Sequence, residues 1–336
     1  MTATRHEPTT SARTEPESGR EGRAVRKRRR AGGAQAGLEA REKMPATSQR
    51  LLASAQRTSF DPLTDVDWDA PLDPDAYGCS PEWSTLYGTT FWDQLTFEQR
   101  QALTRHEAAS IAATGIWFEL ILQQMLVRDV YTKPVTGAEF QWGLTELADE
   151  CRHSIMFARG IEKLGCPAYR PAKLLRHTAR PFKAVAAGET AYAAILVAEE
   201  ILDVMQRDWM RDERVEPAVR AISHIHVVEE SRHMAFAREQ VKAHVAGAGR
   251  VRREASALTI ATTSYFIVTS LVHPHVYTNA GAETGFDADQ ARAAAASNAL
   301  HHAKLAGACE SLMAFLDDCG LLTGAARQIY RRAHML

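Results

Sequence analysis

The sequence predicts an all-α protein, a bundle of long helices with additional C-terminal helices. Three observations carry this. Apolar residues recur at three- and four-residue spacing over long stretches, caps and Gly/Pro terminators bound those stretches, and hardly any segment alternates as a strand would.

Taken in order, residues Phe60 to Phe91 are rich in Asp, Pro and Trp and read as an irregular wrapping segment. Thr96 with Gln99 forms a capping-box pattern, opening a helix that runs to about Tyr131, before Lys133-Pro134. A second helix is expected from about Gly137 to Leu164, where Gly165-Cys166-Pro167 stops it. A third covers roughly Glu189 to Asp212. Pro217 suits the first turn of a fourth, which runs to about His244. The fifth covers about Arg252 to Val272 and includes the most apolar stretch, from Ala257. Its many Thr and Ser residues and its end at His273-Pro274 favour a core helix over a membrane span. Asp287 and Gln290 open a sixth helix that ends at Gly320, and a short last one covers about Leu322 to Ala333.

The chain has 336 residues, 45% hydrophobic and 24% charged, with a net charge of −1. These are ordinary globular values, and no global field favours nucleic acid or an anionic membrane. Five cysteines, none in a Cys-x-x-Cys pair, argue against a disulfide framework or zinc knuckle and fit a reducing cytoplasm. Residues 1–58 read as a disordered basic tail. Up to Lys43 there are eleven Lys/Arg, six Glu and no aromatic residue. The run Arg26 to Arg30 has no apolar run after it, which is against an export signal. Residues 59–336 then form one domain.

Two fragments carry the chemistry, Asp149-Glu150-Cys151-Arg152-His153 and Glu229-Glu230-Ser231-Arg232-His233. Each contains Glu-x-x-His inside a predicted long helix, where residues three apart share a face. An isolated match would read as an exposed polar pair. Two matches flanked by apolar residues are costly to bury unless paired or bound to metal. Facing helices of this kind supply a carboxylate and an imidazole to each of two metal ions in ferritin-like carboxylate proteins, which need one further Glu from each of two other helices.

On the first helix the candidate is Glu119, within Ile116-Trp117-Phe118-Glu119-Leu120-Ile121-Leu122, with Glu107 as fallback. On the third, Glu199 and Glu200 both stand. Glu199 shares a face with Tyr192, Ile195 and Leu202 and is preferred. His226 lies one turn before Glu230 on the same face and adds a seventh donor. The expected set is Glu119, Glu150, His153, Glu199, His226, Glu230 and His233. Its four carboxylates balance two divalent ions, and its lack of thiolate suits iron or manganese over structural zinc.

This pattern resembles the di-iron arylamine N-oxygenases of the AurF type. The resemblance rests on Glu119, Glu150-x-x-His153, Glu199 and His226-x-x-x-Glu230-x-x-His233, over roughly Trp83 to the C-terminus. It implies a ferritin-like fold, two iron ions, O₂ as co-substrate, an external electron donor and a homodimer. The implied reaction takes an amine, an arylamine above all, to hydroxylamine, nitroso or nitro product, in secondary metabolism such as antibiotic biosynthesis. It also implies recognition of a carboxylated arylamine by basic and polar residues, for which Arg292, Lys304 and Tyr277-Thr278-Asn279 are candidates. Alternatives left open are a di-iron hydroxylase or desaturase acting on a substrate held by a carrier protein, and a non-enzymatic iron- or manganese-binding protein.

Overall fold

A computed structural model describes residues 35, 38, 39 and 41–336. Four long helices form the frame: α4 (Phe97–Val130), α5 (Ala138–Lys163), α7 (Gly188–Trp209) and α8 (Pro217–Val245). Links of seven residues (131–137 and 210–216) force α4 and α5, and α7 and α8, into antiparallel hairpins. The hairpins pack through α5 against α8 and α4 against α7. Among the described residues there is no strand, only an isolated bridge between Tyr77 and Val215.

The helix ends follow the expected chemistry. At α4 the Thr96 hydroxyl accepts from the Gln99 amide at 3.2 Å, and the Gln99 side chain accepts from the Thr96 amide at 2.9 Å. The chain leaves α5 through Gly165 at φ +67°, a conformation that glycine adopts without steric cost. Pro217 opens α8 in the first turn.

Around this frame lie α2 (Pro62–Asp65), a 3₁₀ turn at Pro81–Trp83, α3 (Thr90–Gln94), α6 (Lys173–Val185), α9 (Arg250–Ser270) and α10 (His275–Thr284). The C-terminal helices are α11 (Ala288–Ala296), α12 (Ala299–Ala308), α13 (Glu310–Asp318) and α14 (Gly324–Arg332). The expected single sixth helix is therefore three. It breaks at Asn298, whose side chain caps α12, and again at Cys309. Helices α6 and α10 were not foreseen.

The boundary expected at residue 58 is also corrected. Residues 41–57 form a helix, α1, and Met44, Ser48, Leu51 and Ala55, spaced as one helical face, are buried. The basic run Arg26 to Arg30 lies outside the described residues.

By length and composition α4 and the stretch Arg250–Thr284 could cross a membrane. α4, however, carries the buried acids Glu107 and Glu119 on faces packed within the bundle.

Candidate metal centre

α5 turns Glu150 and His153 toward the bundle axis. α8 turns His226, Glu230 and His233 toward it, and Glu119 of α4 and Glu199 of α7 complete the ring. Glu150, Glu230 and the three histidines are 0% exposed, and Glu119 and Glu199 are 2% and 3% exposed. His233 Nδ1 lies 3.0 Å from Glu150 Oε1 and 3.0 Å from Glu230 Oε1. His153 Nδ1 lies 3.2 Å from Glu230 Oε1. His226 Nε2 is 3.9 Å from Glu119, 3.8 Å from Glu199 and 3.7 Å from Glu230. Three sets, Glu119/His153/His226, Glu150/His153/Glu230 and Glu199/His226/Glu230, each bring their donor atoms within 4.8 Å of one another. All seven expected residues converge.

The two alternatives are placed elsewhere. Glu200 accepts from Arg238 at 2.8 and 2.6 Å, and Glu107 accepts from the Thr85 amide and hydroxyl at 2.8 and 2.5 Å.

Whether these residues suit metal can be judged from their unmet bonding. Both Glu150 oxygens, Glu119 Oε1, Glu199 Oε2, Glu230 Oε2, His153 Nδ1 and His226 Nε2 are buried without a hydrogen-bond partner. An unsatisfied buried polar group costs about 1–3 kcal/mol, more if charged. Cations bound among these atoms would meet their unsatisfied bonding and offset their charge. Carboxylate and imidazole donors fit divalent iron or manganese.

The electrostatics agree. Burial, reinforced by neighbouring carboxylates, pushes Glu119 and Glu199 well above the usual carboxylate range. Burial alone would lower His153 and His233, but the surrounding glutamates hold both well above the usual imidazole range. Burial would raise Glu230, yet His233 and His153 hold it well below its ordinary value. Protons on two imidazoles thus offset part of the negative charge, and metal uptake would displace them. His226 differs, since burial pulls it down to about 3 and leaves it neutral. Its Nδ1–H donates to Gln206 Oε1 at 2.6 Å, which leaves the Nε2 lone pair facing the acids.

The acid preceding each ligand Glu orients the histidine of the other helix. His153 Nε2 donates to Glu229 at 2.8 Å, and His233 Nε2 reaches Asp149 at 3.3 Å. Arg232 stands 3.6 Å from Glu229 and 3.9 Å from Asp149, and Arg152 pairs with Asp149. The arginine before each histidine therefore anchors these supporting acids. Ser154 donates to Glu119 at 2.5 Å.

Sequence reasoning missed one donor. Glu146 is wholly buried, neither of its oxygens has a partner, and it groups with Glu150 and His233 within 4.8 Å. Burial pushes it up to about 8. The signal was available, because Glu146-x-x-x-Glu150-x-x-His153 repeats the register of His226-x-x-x-Glu230-x-x-His233. Packed antiparallel, each helix sets its first residue beside the other's histidine. His226 lies by His153, with ring centroids 4.8 Å apart, and Glu146 lies by His233.

The candidate substrate contacts engage other residues. Lys304 sits 4.3 Å over the Trp83 ring and 3.5 Å from Asp208. Arg292 holds Asp289 at 2.6 Å and Thr278 at 3.2 Å, Tyr277 bonds Thr85, and Asn279 donates to Tyr169. The cavity that does reach the centre has a volume of about 400 Å³ and touches Glu199. Trp117 and Phe118 of α4, Phe182 of α6, Ile195 of α7 and Phe266 of α9 are among its walls.

A model of the family described as P-aminobenzoate N-oxygenase AurF matches residues 41–320. The chain is also similar to uncharacterized proteins of Mycobacterium tuberculosis (strain CDC 1551 / Oshkosh) and Mycobacterium bovis (strain ATCC BAA-935 / AF2122/97). Each is 28% identical over 233 residues, covering 67% of this chain and 68% of the relative.

Proposed function

The chain belongs to the p-aminobenzoate N-oxygenase AurF family, and from that premise we propose that it is a di-iron enzyme that oxygenates the nitrogen of an arylamine. The observation that carries the reading is the third histidine. His226 is neutral, oriented by Gln206 and aimed into a cluster in which the two Glu-x-x-His pairs, with Glu119 and Glu199, already provide the usual donors for two metals. Iron bound by these residues supplies O₂ activation. The overall first step is R–NH₂ + O₂ + 2e⁻ + 2H⁺ → R–NHOH + H₂O, in which an N–O bond forms, the O–O bond breaks and the second oxygen leaves as water. The two electrons come from an external reductant, and repetition leads to nitroso or nitro product.

The chain's own residues divide the remaining work. Glu199 belongs both to the cavity lining and to the donor cluster, so an amine in the cavity would meet bound iron there. The apolar walls exclude water from the reacting nitrogen. Asp149, Glu229 and Gln206 fix the imidazoles so that the opposite ring nitrogen of each would be free to hold iron. The reading includes a cytoplasmic homodimer that works with a reductase, its substrate free or presented by a carrier protein.

The test is turnover by iron-loaded protein with a chemical reductant, O₂ and a panel of amines, comparing wild type with His226→Ala. Hydroxylamine, nitroso or nitro products from wild type, lost in His226→Ala with most iron retained, are expected. Oxygen inserted only at carbon of a carrier-bound acyl chain would require a hydroxylase instead.

A further inference from the structure

The cavity beside Glu199 has sixteen lining residues, and all are apolar except Glu199 and Thr259, Thr262 and Thr263 of α9. Among the described residues no Lys, Arg or His lines it. Resting on the N-oxygenase reading, we propose that this cavity takes an extended aryl amine that carries no anionic group, two rings or one ring with an alkyl tail.

The lining is unsuited to an anion. A substrate carboxylate would be desolvated against aromatic and aliphatic walls with no cation to receive it. The nearest cation along α4 is Arg128, nine residues beyond Glu119 and so roughly 13–14 Å along the helix at 1.5 Å per residue. Its guanidinium is already held by the backbone carbonyls of Ala184 and Ala186. Lys304 and Arg292 lie at other contacts, as described above. The three threonines offer only neutral hydroxyls, which cannot balance a negative charge. Thr259 and Thr263 also donate back to carbonyls of α9 at 2.8 and 2.9 Å, which leaves little donor capacity for an anion.

The cavity's size suits an extended substrate. A dry cavity of about 150 Å³ holds one benzene ring, and this one is about 400 Å³. A single aminobenzene would leave most of it unfilled. Trp117, Phe118, Phe182 and Phe266 offer ring faces and edges to a second ring. Thr259, Thr262 and Phe266 are exposed on α9 and mark the mouth, so the amine end leads and the apolar tail follows toward the surface.

The test uses the full chain loaded with ferrous iron. Binding of 4-methylaniline, 4-aminobiphenyl and 4-aminobenzoate is measured by calorimetry without O₂, and products are then measured with O₂ and reductant. The expected order is 4-aminobiphenyl at least tenfold tighter than 4-methylaniline, and 4-aminobenzoate at least a hundredfold weaker than 4-methylaniline. Thr263→Lys, at a half-buried wall position, should narrow the gap to 4-aminobenzoate by tenfold or more. Equal or tighter binding of 4-aminobenzoate by wild type overturns the inference and leaves N-oxygenation standing. Failure of 4-aminobiphenyl to bind overturns it as well. The expected binding order with oxygen found only at carbon keeps the cavity assignment and removes the N-oxygenase reading.

Discussion

Replacing Gln206 with Leu tests how the third histidine is held. The hydrogen bond from His226 Nδ1–H to Gln206 Oε1 is 2.6 Å long, and both side chains are buried. Leucine nearly preserves volume but leaves a buried N–H without an acceptor, at about 1–3 kcal/mol. In a large domain, at roughly 2–4 °C per kcal/mol, the metal-free protein should melt roughly 2–12 °C lower. The loss at the metal is separate. Without Gln206 the neutral ring can shift its proton to Nε2 and donate to Glu119, Glu199 or Glu230, a state that blocks metal. Loss of an orienting partner typically lowers metal affinity about 10–100-fold, or about 1.4–2.8 kcal/mol. Anaerobic Fe²⁺ titration against a competing chelator reads the affinity, and thermal melts read the stability. Gln206→Glu, which keeps an acceptor, should recover much of the affinity. Wild-type iron affinity in Gln206→Leu would show that His226 does not bind through Nε2 as argued here.

Glu199→Ala should abolish O₂ chemistry while Glu200→Ala keeps most of it, because Arg238 and not the metal centre engages Glu200; single-turnover O₂ consumption decides, and the reverse result would contradict the placement. Glu146→Gln should bind iron more weakly than wild type at one of two sites in the same titration, and an unchanged isotherm would remove Glu146 from the donor set. Burial raises Glu107 to about 7 from 4.5, so its contribution is fully present below about pH 4.5 and is lost as pH rises through about 7, roughly 3 kcal/mol in all. Glu107→Gln should flatten that part of the stability profile in denaturant melts from pH 5 to 8. Deleting residues 1–57 removes buried Met44 and Leu51, at roughly 1.5–3 kcal/mol each, and should lower the melting temperature; an unchanged value would mean that α1 adds nothing.

The long helices and the two Glu-x-x-His pairs were legible because both depend on local spacing. The choice between Glu199 and Glu200 was not fully local, since adjacent residues differ by about 100° of helix rotation. The structure separates them through Arg238, 38 residues downstream, whose ion pair the sequence does not announce. Glu146 matches His226 in register, but a carboxylate one turn before Glu150 is also the pattern of an ordinary solvated helix face. The alanine-rich run Ala291 to Ala296 reads as unbroken helix. Asn298 ends it by capping α12 and donating to the carbonyls of Thr85 and Tyr87, more than 200 residues away. In α1 the stripe of Met44, Ser48, Leu51 and Ala55 was hidden by its polar neighbours, and the basic composition upstream led to a boundary set too late. The basic candidates for substrate binding, Arg292 and Lys304, pair with Asp289 and Asp208, contacts that charge alone does not announce.

A single turnover with ¹⁸O₂ tests nitrogen oxygenation directly. Full-length protein loaded with two ferrous ions per chain is mixed with ¹⁸O₂ and an arylamine, and the product is analysed by mass spectrometry. N-oxygenation at this centre places ¹⁸O on nitrogen, with no such product from Glu150→Ala or Glu230→Ala. Iron-loaded protein that consumes O₂ and leaves every amine unlabelled at nitrogen would contradict it.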